Sequence, residues 1–538
     1  MPESSRPSSP SGRRITGVTV PLFSLRSERS WGIGEISDLP PFADWIVTAG
    51  IKLVQILPLG EISNNETSPY SALSAFGIDP MYISIADIPE ILGRSLRDLL
   101  GGEMGVAILE EARASHHVDY GKVRFLKNRA LRFAFERFQE TEYANDTQRA
   151  QDFKAFVSHE QHWLDDYALF RALKDSHRGV AWWDWIASAK NRDYESLNKT
   201  RAKLGDEVLY FQFVQWIAHA QWDAARSKLH KRGVEIMGDL PFMVGRDSAD
   251  VWSHQKEFRL DQNVGVPADQ FDPDGQDWGL PPYKWDAMRA NDFAWLRRRA
   301  RYAGELYDRF RIDHLVGFYR TYIRPMKTRD AAGKMVKGVF DPVDERSQLT
   351  HGERVINAMV DAARERNARL VAEDLGTVPT FVRTSLSKLG VPGYRVLIWE
   401  KDDEVFRDPK SYPEVSLACF GTHDTDPVAV WWETRSAAER AAVLELPGIS
   451  ARAAELSVSF TPVTHRALLD LINGSGSELV LLLIQDVLGT RDRVNTPGTV
   501  GPHNWSYRLP GTVVQLADDA GANAAMSRVR ESIGKSGR

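Results

Sequence analysis

Short apolar runs that break abruptly into acidic residues or His recur along this chain, most sharply in RFRIDH (309–314), LVAEDLG (370–376) and CFGTHD (419–424). A continuous apolar run of this length is how a strand buried on both faces reads in a parallel sheet. Similar runs lie in GVTVPLFSL (17–25), KLVQILPL (52–59), VEIMGDLPF (234–242), YRVLIWE (394–400) and LVLLLIQDVLG (479–489). With the runs ending in RIDH, RLVAEDLG and SLACFGTHD as the fourth, fifth and seventh, the pattern predicts eight strands. Helical periodicity fills the gaps over 37–49, 291–310, 351–366, 378–389, 433–443 and 462–473. In the first of these helices Leu39, Phe42, Trp45 and Ile46 share a face; in the second, the run Arg297–Arg299 is expected to be the solvated face.

Strand and helix in alternation predict an α/β fold with a parallel sheet. A doubly wound open sheet accounts for the alternation equally well. Acids at the ends of several different strands favour a (β/α)8 TIM barrel, because there all the C-terminal strand ends meet at one mouth. A plain barrel needs about 250 residues. The surplus in a chain of 538 predicts large, mainly helical insertions after strands 2 and 3, at about 60–230 and 243–290. The first holds FKAFVSHEQHWLDDYALFRALKD, and the second contains a loop rich in Gly, Pro, Asp and Trp. The barrel with its insertions is expected over 15–538. The preceding MPESSRPSSPSGRR lacks the apolar run of a signal peptide and reads as a disordered tail over 1–14 rather than a transit-peptide stub.

Composition narrows the partners. A formal charge of −5 argues against nucleic acid or an anionic membrane as the main partner. No stretch approaches the roughly 18 unbroken apolar residues of a membrane span. The single cysteine, Cys419, excludes an internal disulfide and fits a reducing, cytoplasmic setting. It lies inside an apolar run, as a buried small hydrophobe does, and not as a nucleophile does. Sixteen Trp is a high count; aromatic faces suit the apolar faces of sugar rings, with core packing the alternative use for each one.

The strand ends carry the candidate chemistry. Arg311 and Asp313 are two apart on a strand, so both point to one side. A cation there is expected to hold Asp313 ionised, which suits a nucleophile; a structural Arg–Asp pair is the alternative. Glu373 ends the next strand. Partial burial beside an anionic Asp313 is expected to keep it protonated as a general acid, whereas a surface or capping carboxylate is the bland reading. Its neighbour Asp374 is expected to point away, to a helix N-terminus near Thr377. Asp424, after His423, is the third acid. Two converging carboxylates with a third beside them are the equipment for cleaving a glycosidic bond, and a separation of about 5 Å between the first two implies retention. There is no partner His at metal spacing, no EF-hand-like loop, no P-loop and no GxSxG elbow; GIG at 32–34 is a lone GxG. No metal or cofactor is expected.

These segments, in this order, closely resemble those of the 4-α-glucanotransferases (amylomaltase or disproportionating enzyme), the α-amylase-related family 77. SPYSALSAFGIDPMYI (68–83), WLDDYALFRALKD (163–175), MGDLPFMVGRDSADVW (237–252), GVPADQFDPDGQDWGLPPYKW (265–285) and VNTPGTVGPHNWSYRL (494–509) each resemble a family segment, in register over nearly the whole chain. The resemblance implies Asp313 as nucleophile, Glu373 as acid/base and Asp424 as transition-state stabiliser. It implies that Tyr70, Asp239, Arg311, His314 and His423 line the donor sugar, and that Asp269, Gln276 and Trp278 belong to a loop over the acceptor side. GTHDTD stands where the family commonly has GTHDND, and GVPAD where it has GVPPD. The expected partners are maltooligosaccharides and starch- or glycogen-derived glucans, with the protein a monomer or homodimer. Two rival readings stay open: a hydrolase with the same acids and water as acceptor, and a non-catalytic glucan-binding protein on the same fold.

Overall fold

The structure is a computed structural model, and residues 14–64, 66–268, 275–327, 329–331, 333, 336–403 and 405–538 are described. Apart from Arg14, the expected N-terminal tail lies outside them. Eight parallel strands among the described residues close into a barrel: β1 (Ile15–Thr19), β2 (Leu53–Gln55), β3 (Glu235–Leu240), β4 (Arg309–Ile312), β5 (Arg369–Ala372), β6 (Gly393–Val396), β7 (Ser416–Cys419) and β8 (Leu479–Leu483). They follow one another round the barrel in chain order, and β8 pairs with β1 from Ile15↔Leu479 to Thr19↔Leu483. The (β/α)8 barrel expected from the apolar runs is the observed architecture, and the open sheet is excluded.

Alternate strand residues explain the two cores. Ile15, Leu53, Met237, Val371, Tyr394, Leu417, Cys419 and Leu479 form one buried cluster inside the barrel. Residues of opposite parity, such as Val18, Val54, Ile236, Phe310, Leu370, Ala418 and Val480, join the larger cluster between strands and helices. Cys419 is buried as expected, and burial pushes its thiol pKa up. Gly238 lets the two layers meet, since a Cβ there would stand 2.2 Å from the Tyr307 ring.

The strands are shorter than the runs that announced them. Leu22–Ser24 turn as a 3-10 helix after β1, and the run that forms β8 continues as the helix Ile484–Leu488. The predicted helix over 433–443 is two helices, Val428–Thr434 and Ala437–Leu444, broken where Ser436 and Glu439 cap each other. Between β2 and β3 the long helices are Tyr120–Phe138, Gln148–Ser176 and Gly205–Lys231. The stretch after β3 also carries strands: Gln262–Val266 and Gln276–Asp277 join Thr321–Pro325 and Val339–Asp341 in an antiparallel sheet of order 276–277, 262–266, 321–325, 339–341. The run Arg297–Arg299 is not a solvated face. Arg299 is buried on the helix Ala294–Leu306, where it donates to the carbonyls of Pro241 and Phe242 behind β3.

Candidate active site

The barrel register sets the acids side by side. Asp239 on β3 lies opposite Arg311 on β4. The ladder then runs past the strand ends: Asp313 N donates to Leu240 O at 3.0 Å, and Glu373 N donates to Ile312 O at 3.0 Å. Asp313 and Glu373 are therefore successive projections from adjacent strands at the C-terminal mouth.

Arg311 is the hub. Its Nη1 donates to both oxygens of Asp239, at 2.8 and 2.6 Å, and its Nη2 donates to Asp313 Oδ1 at 2.8 Å. Burial opposes the guanidinium charge, but Asp239 and Asp313 outweigh it and raise the Arg311 pKa. Burial also drives the Asp239 pKa up, against the pull of Arg311. Tyr70, from the segment after β2, donates its hydroxyl to Asp239 Oδ2 at 2.7 Å and lies 3.1 Å from His423 Nε2. Its ring stacks on that of His423, with centroids 5.7 Å apart.

Glu373 has a different setting. Its Oε2 accepts the backbone N–H of His314 at 2.7 Å. Desolvation by the surrounding protein, reinforced by Asp313, pushes its pKa up to about 8, with Arg311 opposing. His314 supplies that N–H from a left-handed backbone, φ 43°, uncommon for a residue with a side chain and costing about 1–3 kcal/mol. Its ring lies nearly perpendicular to that of Trp278, with centroids 4.9 Å apart, and burial brings its pKa down to about 4, so it is neutral near pH 7. Trp278 in turn donates Nε1 to Gln276 Oε1 at 2.9 Å.

Asp424 is held from three sides. Asn495 Nδ2 donates to its Oδ1 at 2.6 Å, His423 Nε2 lies 3.3 Å from its Oδ2, and Arg493 Nη2 donates to its backbone carbonyl at 2.6 Å. Of the residues singled out from the sequence, Tyr70, Asp239, Arg311, Asp313, His423 and Asp424 are linked by these contacts. Glu373, His314, Trp278 and Gln276 form a second chain beside them. Asp269 lies outside the described residues. Asp374 does point away from the cleft, but not to a helix end: the next helix starts at Thr380 without a side-chain cap. Its Oδ1 instead accepts Tyr394 N at 2.6 Å, bridging β5 and β6 where the strands share a single residue pair, Gly393↔Ala372. Asn495, Arg493 and Trp505 were not singled out. They lie in or beside the VNTPGTVGPHNWSYRL segment, where a neutral amide two residues before Pro497 reads as a turn former.

A closed parallel barrel with three carboxylates at its C-terminal mouth is the arrangement that glycoside-processing barrel enzymes use. The sequence profile of one such family, Glyco_hydro_77, 4-alpha-glucanotransferase, matches residues 20–514, and the chain belongs to that family. The 4-alpha-glucanotransferase of Thermus thermophilus is 32% identical over 94% of this chain and 96% of its own length. That of Chlamydia pneumoniae is 30% identical over 93% and 92%. Among solved structures, the amylomaltase from Streptococcus agalactiae in complex with acarbose superposes with a TM-score of 0.77 at 25% identity, covering 96% of this chain and 98% of its own.

Proposed function

We propose that this chain moves a segment of an α-1,4-glucan onto the 4-hydroxyl of another glucan or of glucose, by a retaining double displacement through a covalent glycosyl-enzyme. The observation that carries the reading is the contrast between the two neighbouring acids. Asp313 has a guanidinium against one oxygen, while Glu373 is desolvated, accepts a backbone N–H and holds its proton to about pH 8. A proton held on Glu373 beside the guanidinium-paired Asp313 sets a proton donor next to a nucleophile.

Asp313 attacks the anomeric carbon while Glu373 protonates the departing sugar oxygen. The Glu373 carboxylate then takes the proton from the acceptor's 4-hydroxyl, which displaces Asp313 and restores the α configuration. Asp424 faces the oxocarbenium-like transition state. Tyr70, Asp239, Arg311, His314 and His423 bind the donor sugar; Trp278 and Gln276 cover the acceptor side. Transfer outruns hydrolysis where the acceptor site excludes water, and the Trp278–His314 edge contact is a candidate wall for it. Maltooligosaccharides and starch- or glycogen-derived chains are the substrates on this reading, with no cofactor and the protein a monomer or homodimer. The lone, buried Cys419 supports a cytoplasmic setting. Among the described residues no helix is long and apolar enough to cross a membrane.

The test is to incubate the purified protein with maltotriose, without added metal or cofactor, and resolve the products by size. A ladder of longer oligosaccharides plus glucose, with reducing ends constant, is expected. Rising reducing ends with only shorter products mean a hydrolase and overturn the acceptor-side assignment.

A further inference from the structure

Asp424 is the one acid not set by the barrel ladder. It lies five residues beyond the end of β7, and the side-chain donor nearest its Oδ1 comes from a loop after β8: Asn495 Nδ2, at 2.6 Å. Asn495 is buried, and an amide is a neutral donor, so it orients the carboxylate without supplying a compensating charge.

The loop holding Asn495 is closed by its own far end. Trp505 N donates to Val494 O at 2.8 Å, and Asn504 Oδ1 accepts Thr496 N at 2.9 Å, one contact on each side of Asn495. Arg493 Nε donates to Asn495 O at 3.2 Å, while its Nη2 holds the Asp424 carbonyl. Trp505 sits at φ 60°, a left-handed conformation that a bulky residue adopts only when its surroundings impose it. Two of those surroundings are visible. Its ring packs against Tyr70 and His423, with centroids 5.7 and 5.8 Å away. Its carbonyl accepts the Tyr120 hydroxyl at 2.6 Å, and the neighbouring Ser506 O accepts Val118 N at 2.9 Å. Tyr120 is buried at the first position of the helix Tyr120–Phe138, whose start is capped by Asp119 through Lys122 N at 3.0 Å.

We propose that Asn495 is a positioning residue for the Asp424 carboxylate, and that Tyr120 keeps Asn495 in place through the carbonyl of Trp505. The helix Tyr120–Phe138, remote in sequence from every acid, is then a strut for the third one. The inference rests on the reading of Asp424 as an acid of the reaction.

The experiment measures maltotriose disproportionation by full-length Asn495→Ala, Asn495→Asp, Tyr120→Phe and the Tyr120→Phe/Asn495→Ala double variant, between pH 5 and 8, with Asp424→Asn as reference and thermal unfolding as the fold control. For Asn495→Ala, loss of a hydrogen bond to a charged group lowers kcat about 10–100-fold, with KM changed less than about threefold. Asn495→Asp sets a second carboxylate against Asp424. The pair then shares a proton, and the loss is larger at pH 8 than at pH 5, a dependence a merely structural role does not produce. Tyr120→Phe lowers kcat about 3–10-fold, and lowers it no further in the Asn495→Ala background, because both act on one contact. If Asn495→Ala unfolds at the assay temperature, Asn495→Ser takes its place in the cycle. Asn495→Ala within twofold of the parent rate, or losses that multiply in the double variant, overturns the proposal while Asp424→Asn remains inactive. An active Asp424→Asn refutes the underlying role of Asp424 instead.

Discussion

The inward face of the barrel changes character toward its mouth, within two residues on three of the strands. Toward the N-terminal end it is apolar: Ile15, Leu53, Met237, Val371, Leu417 and Leu479 pack as one cluster. Two residues on from Leu53, Met237 and Val371 stand Gln55, Asp239 and Glu373, and β4 delivers Arg311 and Asp313. The strand geometry is the same in both halves. What changes is the cost of burial. The floor gains from leaving water, whereas the mouth holds groups that burial disfavours: Glu373 with its pKa near 8, Asp239 raised, His314 lowered to about 4. Polar partners offset part of that cost, as in Thr19 Oγ1 to Gln55 Oε1 at 2.7 Å. On the proposed function the floor therefore bears stability and the mouth the chemistry, and a substitution in one half should leave the other's property nearly intact.

The largest expected effect breaks the chemistry alone. Asp313→Asn keeps the shape of a side chain that is 32% exposed, so its unfolding free energy should change by less than about 1 kcal/mol. Its transfer rate should fall by about 10⁴-fold or more, as when a covalent nucleophile is removed. Steady-state kinetics beside a urea titration measure both. A variant that keeps its activity would falsify the assignment of the nucleophile.

Glu373→Gln should lower the rate by about 10²–10⁴-fold, the usual worth of a general acid. It also has a pH signature. In the parent, the rate should fall as pH rises through about 8, where Glu373 loses its proton; the variant should lack that limb. Stability carries the same sign. The folded-state pKa lies above the ordinary 4.5, so the contribution is fully present below about pH 4.5 and is lost as pH rises to about 8. Its slope there is about 1.4 kcal/mol per pH unit at most. Glu373→Gln should therefore gain stability relative to the parent between pH 5 and pH 8, and an unchanged difference would mean that the carboxyl is already ionised at pH 5.

Leu53→Ala is the mirror case on the floor. Leu53 is fully buried in the inner cluster that also holds Ile15 and Met237, and the cavity should cost about 2–5 kcal/mol. The folded variant should retain kcat within a few-fold at a temperature below its unfolding transition. A loss comparable to Glu373→Gln would show that floor packing and acid placement are not separable.

The same division explains what could be read before any coordinates. Buried parallel strands are apolar by necessity, so the eight runs and the acids at their ends stood out. The runs extended past the paired residues because Leu57, Leu59, Leu397 and Phe420 stay buried beyond the strand ends. Arg299 was misread because charge does not reveal burial; beside the Tyr283 hydroxyl, two of its partners are carbonyls, which leave no mark in a sequence. Asn495 was passed over for a related reason, as an amide in a turn looks the same whether it faces water or a carboxylate. Two signals were present and unused. Gln55 is a polar residue inside an apolar strand, on the same face as Leu53, and SAAE at 436–439 is a capping box that breaks the helix predicted there.

Tyr70→Phe sharpens the boundary with the smallest change, one hydroxyl. That hydroxyl donates to Asp239 Oδ2 at 2.7 Å and lies 3.1 Å from His423 Nε2 and 3.4 Å from Arg311 Nη1. Its removal leaves Asp239 to Arg311 alone, while the ring keeps its contacts with His423 and Trp505. The lost hydrogen bond to a charged acceptor should cost about 1.5–3 kcal/mol in total. How that loss divides is the informative quantity. If Tyr70 belongs to the mouth, most of it appears as a fall of about tenfold or more in kcat/KM, with the denaturation midpoint nearly unmoved. If Tyr70 chiefly props the Asp239–Arg311 pair, the midpoint falls and the folded enzyme keeps its rate. The first outcome is expected, because Asp239 retains both its bonds to Arg311 Nη1 without the hydroxyl, and so the pair does not need Tyr70 to stay together.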